Sequence, residues 1–202
     1  MDITTREQLQ ALFKAPSEGA VKKVQHTLEP HIRAFIAASP FVLVSSANAE
    51  GHADVSPKGD PAGFVRVLDD HTLLIPERPG NNRLDTFYNL LDNPHVGLFF
   101  LVPGKRETLR VSGRARITTD AALLEPSKLH GKLPVAALVV SVDEAMFQCA
   151  KCIVRSELWN PERQAGAKQL ATLGQVLADQ IGGFDPVKMD ERLEKAYREN
   201  LY

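Results

Sequence analysis

The chain has few of the residue types that mark specialised protein classes. Its 202 residues include two cysteines and one tryptophan, and the formal net charge is −1. Two cysteines are too few for a secreted disulfide framework. A charge so close to zero excludes a protein that binds nucleic acid or membrane surfaces through bulk positive charge. Any anion site must therefore depend on a few well-placed cations.

Long apolar runs are also absent from the sequence. None approaches the ~20 residues that a membrane-spanning helix needs. The first five residues have neither the basic region nor the apolar core of a signal peptide. We therefore expect a soluble protein with a cytoplasmic location and no membrane partner. The hydrophobic content of 44% is typical of a globular chain that can bury a core without metal or disulfide staples.

The period of the apolar residues divides the chain into three segments of one structural domain. Residues 1–39 have helical spacing, interrupted at Pro16. Residues 40–142 are predicted to be mostly strands joined by short turns, with one helix near residues 84–91. Residues 143–202 are predicted to be mostly helical. One helix of this extension has an apolar stripe and ends at Gly182-Gly183; the stripe is Leu170, Leu173, Val176, Leu177 and Ile181.

The strand-rich segment predicts a barrel. Its strands do not alternate with helices, as a doubly wound α/β fold requires. Short turns favour antiparallel pairing, and closure removes exposed sheet edges. The fold class is therefore mainly β (α+β), with helices on both sides of the barrel. The predicted strands are residues 41–46, 52–56, 64–68, 71–75, 95–102, 107–118 and 135–142.

Two polar segments could form an anion site. Ser56 and Lys58 lie in a predicted loop, where they offer a hydroxyl donor and a mobile positive charge. Asn82 and Arg83 lie at a predicted helix N-terminus, where backbone amides and a forked guanidinium attract anions. A solvated turn and an asparagine-capped helix are the alternative interpretations of these segments taken alone.

A third polar segment follows Arg106. Alternate residues of a strand share a face, so Thr108, Arg110 and Ser112 point the same way. That face could form the wall of a ligand site or could simply be the solvated face of the sheet. The residues alone favour the solvated face.

Together, these segments resemble a known family. Residues 40–115 are similar to the FMN-binding split barrel of the pyridoxamine 5′-phosphate oxidase-like proteins, and most similar to a subgroup described only as FMN-dependent enzymes. The matching stretches are DVSPKGD at 54–60, IPERPGNNR at 75–83 and ETLRVSG at 107–113. The stretches CAKC at 149–152, RSELW at 155–159 and TLGQ at 172–175 also resemble that subgroup. The resemblance implies a six-stranded antiparallel barrel in a homodimer, with FMN at the subunit interface.

The resemblance also implies roles for single residues. Lys58 and Arg83 would balance the FMN phosphate, while Ser56 and Asn82 would donate hydrogen bonds to it. Ile75-Pro76 would present backbone to the edge of the isoalloxazine ring.

Three further positions complete the expected cofactor site. Thr108 lies where the family has a polar side chain near the ring, and Arg110 shares its strand face. Trp159, or Arg155 beside it, would reach in from the second subunit. No residue is assigned a catalytic role, because hydride chemistry belongs to the flavin.

The function that follows is an FMN-dependent oxidoreductase acting on a small molecule, with NAD(P)H as a candidate reductant. The sequence contains no Gly-x-Gly-x-x-Gly fingerprint of a nicotinamide domain. Residues 155–159 lack the Arg-x-His motif of the vitamin B6 oxidase, which argues against pyridoxamine phosphate as substrate. The alternatives are a split barrel that uses F420, one that binds haem through His52 or His95, or a flavin-binding module without catalysis.

Two other motifs receive the simpler interpretation. Cys149-x-x-Cys152 lacks the second ligand pair that zinc needs and the βαβ setting of a redox motif, so both cysteines are expected to pack in a helix. Residues 169–181 resemble a DNA-recognition helix only in length, because their polar face is not basic. No metal and no nucleic-acid partner is predicted.

Overall fold

The computed structural model describes residues 2–202. Three helices precede the sheet: α1 (Arg6–Leu12), α2 (Glu18–Lys22) and α3 (Pro30–Ala38). A capping box at Thr5 starts α1, which buries none of its residues. By contrast, α3 buries Ile32 and Ile36 in the main core. The N-terminal segment is thus helical as predicted, but only its last helix belongs to the packed body.

Seven antiparallel strands form one sheet in the order β2-β1-β5-β6-β7-β4-β3. This confirms the mainly β split barrel with flanking helices. The six strands that the resemblance implied are one fewer than the seven observed. The apolar pattern predicted seven, and its strand at residues 64–68 is reduced to the two-residue edge strand β3 (Arg66–Val67). The strands are β1 (Phe41–Ala47), β2 (Ala53–Gly59), β3 (Arg66–Val67), β4 (Thr72–Glu77), β5 (His95–Leu101), β6 (Thr108–Thr118) and β7 (Ala136–Gln148).

Period-two burial along the strands creates the core. On β1, Val42 and Val44 are fully buried while their sequence neighbours are more exposed. Phe100 on β5 and Val111 on β6 continue this apolar layer toward α3. Each fully buried side chain of this size stabilises the fold by roughly 1.5–3 kcal/mol relative to the exposed side chain.

The long strand β7 departs from the sequence prediction. It continues through Gln148, past the expected boundary at residue 142, into a stretch predicted to be helical. Exposed Ser141 and Asp143 flank buried Val142, which is the alternation of a half-exposed strand rather than a helix. Opposite this stretch, the register of β6 shifts between Ser112 and Gly113. A Cβ at Gly113 would lie 2.1 Å from the Ser141 carbonyl oxygen, so this close approach requires glycine.

Helices complete the fold after β4, after β6 and after β7. They are α4 (Asp85–Asp92), α5 (Ala121–Leu124), α6 (Lys151–Ser156), α7 (Leu173–Ile181) and α8 (Pro186–Glu199), with 3₁₀ segments at Glu125–Ser127 and Pro161–Gln169. As predicted, α7 ends at Gly182, whose φ is 74°. The Gly174 amide of α7 donates to Asp190 Oδ1 of α8 at 2.8 Å. None of the helices in residues 2–202 combines the length and apolar character that crossing a membrane requires.

Candidate functional site

A cleft of about 240 Å³ lies between β2 and the start of α4, and we call it the β2–α4 cleft. Asp54, Ser56 and Lys58 form one wall, because alternate residues of β2 point to the same face. The sequence predicted a loop from Ser56 onward, whereas β2 continues to Gly59. The strand geometry therefore holds Ser56 and Lys58 more firmly than a loop would.

Residues 77–87 form the opposite wall. Within them, Asn82 and Leu84 have φ values of 57° and 62°, in the left-handed region. The left-handed conformation costs a non-glycine residue about 1–2 kcal/mol of free energy. Residues with such strained backbone are often found at functional sites. Because Leu84 is the N-cap of α4 and provides no side-chain cap, the first-turn N–H groups of α4 are open to an anion.

Two cations of the cleft already have carboxylate partners. Lys58 Nζ lies 2.5 Å from Glu77 Oε2, in a pair whose side chains are 14% and 20% exposed. Arg83 Nε lies 2.7 Å from Asp85 Oδ2. Hydrogen bonding to Asp85 raises the pKa of Arg83 above its usual value, so the guanidinium stays charged. An incoming anion must therefore compete with these carboxylates.

A third ion pair lies where the cleft continues into an adjoining cavity of about 280 Å³, which we call the inner extension. Arg78 Nε donates to Asp60 Oδ2 at 2.7 Å, and both side chains are largely buried. Arg78 Nη2 also donates to the Ser127 carbonyl at 2.8 Å. The sequence motifs predicted no role for Arg78, although Arg78 follows a strand and lies inside one of them. The sequence feature that could have identified Arg78 is its position as a charged residue at the end of an apolar strand.

Five of the predicted cofactor residues meet around this cleft and its extension. They are Ser56, Lys58, Pro76, Asn82 and Arg83. The predicted helix begins at Asp85 with Leu84 as its N-cap, so Asn82 and Arg83 precede it, and the Arg83 amide donates to Asn81 Oδ1 at 3.1 Å. The amides available at the N-terminus of α4 therefore belong to residues after Leu84.

The other predicted residues lie elsewhere in the chain. Ile75 is in the core at 1% exposure. Thr108 is fully buried, and its hydroxyl has no hydrogen-bond partner in the described residues. Arg110 pairs with Glu144 at 2.6 Å, and the Trp159 Nε1 donates to the Lys105 carbonyl at 2.6 Å. None of these four lines the cleft of the same chain.

The two cysteines are free and exposed. Cys149 follows β7 and Cys152 lies in α6, so the expected burial of both inside a helix was wrong. Within residues 2–202, no group of three or more histidine, cysteine, aspartate or glutamate residues is arranged to hold a metal ion.

The fold and the cleft define a class of protein: a split barrel with cations gathered between an edge strand and an uncapped helix. A family model described as pyridoxamine 5′-phosphate oxidase matches residues 28–149, more than half of the chain. The chain belongs to this family.

Three solved structures are similar at the level of fold. HupZ from Group A Streptococcus is 22% identical with a TM-score of 0.47, over 58% of this chain and 90% of that one. A proposed pyridoxamine 5′-phosphate oxidase from Lactobacillus delbrueckii is 19% identical with a TM-score of 0.48, over 60% and 95%. An F420 reductase is 15% identical with a TM-score of 0.42, over 57% and 94%. A comparison with curated proteins finds no match.

Proposed function

We propose that the chain binds FMN in the β2–α4 cleft and acts as an FMN-dependent oxidoreductase on a small molecule. The observation that carries the proposal is the convergence of Ser56, Lys58, Asn82 and Arg83 with the uncapped start of α4 on one cavity. Hydroxyl, ammonium, amide and guanidinium donors together match the chemistry of a phosphate monoester.

The residues of the cleft divide between the two ends of the cofactor. Lys58 and Arg83 hold the phosphate after exchanging their carboxylate partners for it. Pro76 lines the inner extension, where it presents an apolar surface to the ring. Bound flavin supplies the hydride chemistry, while the chain orients it and tunes it electrostatically.

A homodimer completes the site in this proposal. Arg110 and Trp159 lie away from the cleft of their own chain, so a role at the cofactor requires the second subunit. Thr108 is fully buried in its own chain and has no surface with which to contact a cofactor there. In one chain, large apolar side chains that a second subunit would cover stay exposed at the end of α1 and around α7. These are Leu12 at 65%, Phe13 at 68%, Leu170 at 75% and Ile181 at 71% exposure.

The first test is the absorbance spectrum of purified protein after FMN addition and gel filtration. Flavin bands retained in a dimer-sized fraction are the expected result. A colourless protein that stays apo would overturn the proposal. In that case, titration with F420 and with haem tests the two other cofactors that the resemblance allows.

A second experiment separates an enzyme from a binding module. The FMN-loaded protein is mixed anaerobically with NADH or NADPH, and bleaching of the flavin band is followed. Bleaching within seconds, reversed by air, is the result expected of an oxidoreductase. A flavin that neither reductant bleaches would point to a non-catalytic holder of FMN.

A further inference from the structure

A second cavity of about 310 Å³ adjoins the β2–α4 cleft, and we call it the side pocket. Its lining includes loop residues 60–64, Arg66, Arg78 and residues 126–129. Asp60 and Arg78 also line the inner extension of the cleft. A molecule in the side pocket would therefore lie beside whatever occupies the extension.

Positive charge exceeds negative charge in the side pocket. Arg66, Arg78 and Lys128 face a single carboxylate, that of Asp60. Because Asp60 is already paired with Arg78, Arg66 and Lys128 supply the excess. Fixed charges in a partly buried cavity act more strongly on an anion than the same charges in open water.

The two cations that supply this excess differ in their surroundings. Lys128 pairs with Glu125 at 3.1 Å on the exposed rim. The half-buried Arg66 donates one hydrogen bond to the Leu123 carbonyl at 3.0 Å and forms no ion pair within residues 2–202. Arg66 is therefore the cation that can accept an anionic ligand without giving up a carboxylate.

The guanidinium of Arg78 is held in place between the two cavities. Its Nε donates to Asp60 and its Nη2 to the Ser127 carbonyl, while its Nη1 makes no hydrogen bond in the described chain. The Tyr202 ring packs over it, with 5.7 Å between the Arg78 Cζ and the ring centroid. A guanidinium fixed on two edges offers its remaining donors to a ligand with little loss of side-chain freedom.

Ser127 provides a separate indication of a ligand. The residue is 8% exposed, and its hydroxyl has no hydrogen-bond partner in the described chain. Buried polar groups are nearly always paired, so an unpaired one calls for an explanation. A ligand oxygen in the adjoining pocket would satisfy it.

We propose that the side pocket binds the carboxylate or phosphate group of a small organic anion, with Arg66 and Arg78 as its ligands. The substrate of the enzyme would then be an anionic small molecule bound next to the flavin. That substrate role rests on the proposed FMN function, whereas the anion site does not.

Isothermal titration in saturating FMN tests the pocket, because FMN then occupies the phosphate site of the cleft. Succinate and inorganic phosphate are titrated separately, which distinguishes a carboxylate site from a phosphate site. We expect at least one of them to bind and its dissociation constant to rise about tenfold or more in Arg66→Gln. Arg116→Gln, an exposed change on β6, is the matched control and leaves the dissociation constant unchanged.

Arg78→Gln is the supporting variant, because it leaves the buried Asp60 carboxylate without its cation and can destabilise the fold. Arg66→Gln breaks no ion pair and therefore decides the test. Failure of the wild type to bind either probe, or equal binding by Arg66→Gln, overturns the anion site.

Flavin absorbance of the same samples separates the two proposals. Retained FMN with anion binding that is independent of Arg66 overturns this inference alone. Arg66-dependent binding without FMN retention overturns the flavin proposal and leaves the anion site standing.

Discussion

Lys58 and Glu77 face each other across the β2–α4 cleft, with 2.5 Å between the ammonium and the carboxylate. Glu77 neutralises Lys58, the cation that is expected to bind the cofactor phosphate. The affinity of the cleft for a phosphate therefore depends on how much more strongly the Lys58 ammonium binds the phosphate than it binds the Glu77 carboxylate.

Removing the competing carboxylate should tighten FMN binding. We expect Glu77→Gln to lower the dissociation constant of FMN about tenfold, since a charge-assisted hydrogen bond contributes about 1.4 kcal/mol or more. Lys58→Gln should raise it by a similar factor. Quenching of FMN fluorescence during titration measures both, with the exposed Glu194→Gln as control. Weaker binding by Glu77→Gln would mean that the carboxylate supports the cofactor instead of competing with it.

Arg83 should contribute less than Lys58. Its side chain is 74% exposed, and water and salt weaken the ion pairs of exposed side chains. We expect Arg83→Gln to weaken FMN binding about threefold at low salt and to have a smaller effect at 1 M NaCl. The same titration at two salt concentrations measures this. An effect of Arg83→Gln that is as large in 1 M NaCl would place the phosphate directly on the guanidinium in a desolvated contact.

Trp159 reports on the cofactor site because it is the only tryptophan of the chain. If it reaches the flavin of the second subunit, FMN binding should quench most of its fluorescence. Emission is followed at one FMN equivalent, and free tryptophan amide at equal absorbance corrects for light absorbed by FMN. Unchanged emission from a protein that retains FMN would remove Trp159 from the site.

Gly113 should tolerate no side chain. A Cβ there would lie 2.1 Å from a backbone oxygen of β7, which cannot rotate away as a flexible side chain would. We expect Gly113→Ala to lower the free energy of unfolding by about 3 kcal/mol. Gly166→Ala is the control, because a Cβ at that position meets nothing within 4 Å. Urea unfolding of both variants measures the difference, and equal midpoints would contradict the register shift in β6.

Tyr202 should make stability depend on pH in the alkaline range. Burial and the neighbouring Asp60 carboxylate raise the pKa of Tyr202 above its ordinary value of 10.0. The protonated Tyr202 hydroxyl thus stabilises the folded state fully below pH 10. This stabilisation is lost as the pH rises through the pKa that Tyr202 has in the folded protein. We expect the melting temperature of wild type to exceed that of Tyr202→Phe at pH 8 and to lose this advantage as the pH rises above 10. The exposed Tyr197→Phe is the control, and a pH-independent difference would exclude titration of Tyr202 as the cause.

Much of the fold could be predicted because strand periodicity is local. The run from Phe41 and its return after Gly51 predicted the β1–β2 hairpin, and Gly182 marked the end of α7. The last residues of β7 could not be predicted in this way. Asp143 and Glu144 look like the start of a helix until their partners on β6 are known, because strand pairing is a long-range property.

The candidate site was predictable only in part. Lys58 and Arg83 stood out as cations in glycine-containing segments. The carboxylates that pair with them, Glu77 and Asp85, come together through the fold, and no local pattern marks them. The role of Arg78 could not be predicted from local sequence either. Arg78 lies at the boundary of two cavities, and both cavities are formed by residues that are distant in sequence.

The two final helices, α7 and α8, pack on each other, while Leu173 and Ile181 of α7 stay half or more exposed. We expect this pair to open as its own cooperative unit, at a lower free energy than the barrel, and to exchange its amide hydrogens sooner. Tyr202 lies three residues beyond the end of α8, so each opening would lift the aromatic ring from Arg78. Access to the side pocket would thus follow the local stability of the tail, which surface substitutions on α8 can change without altering the barrel.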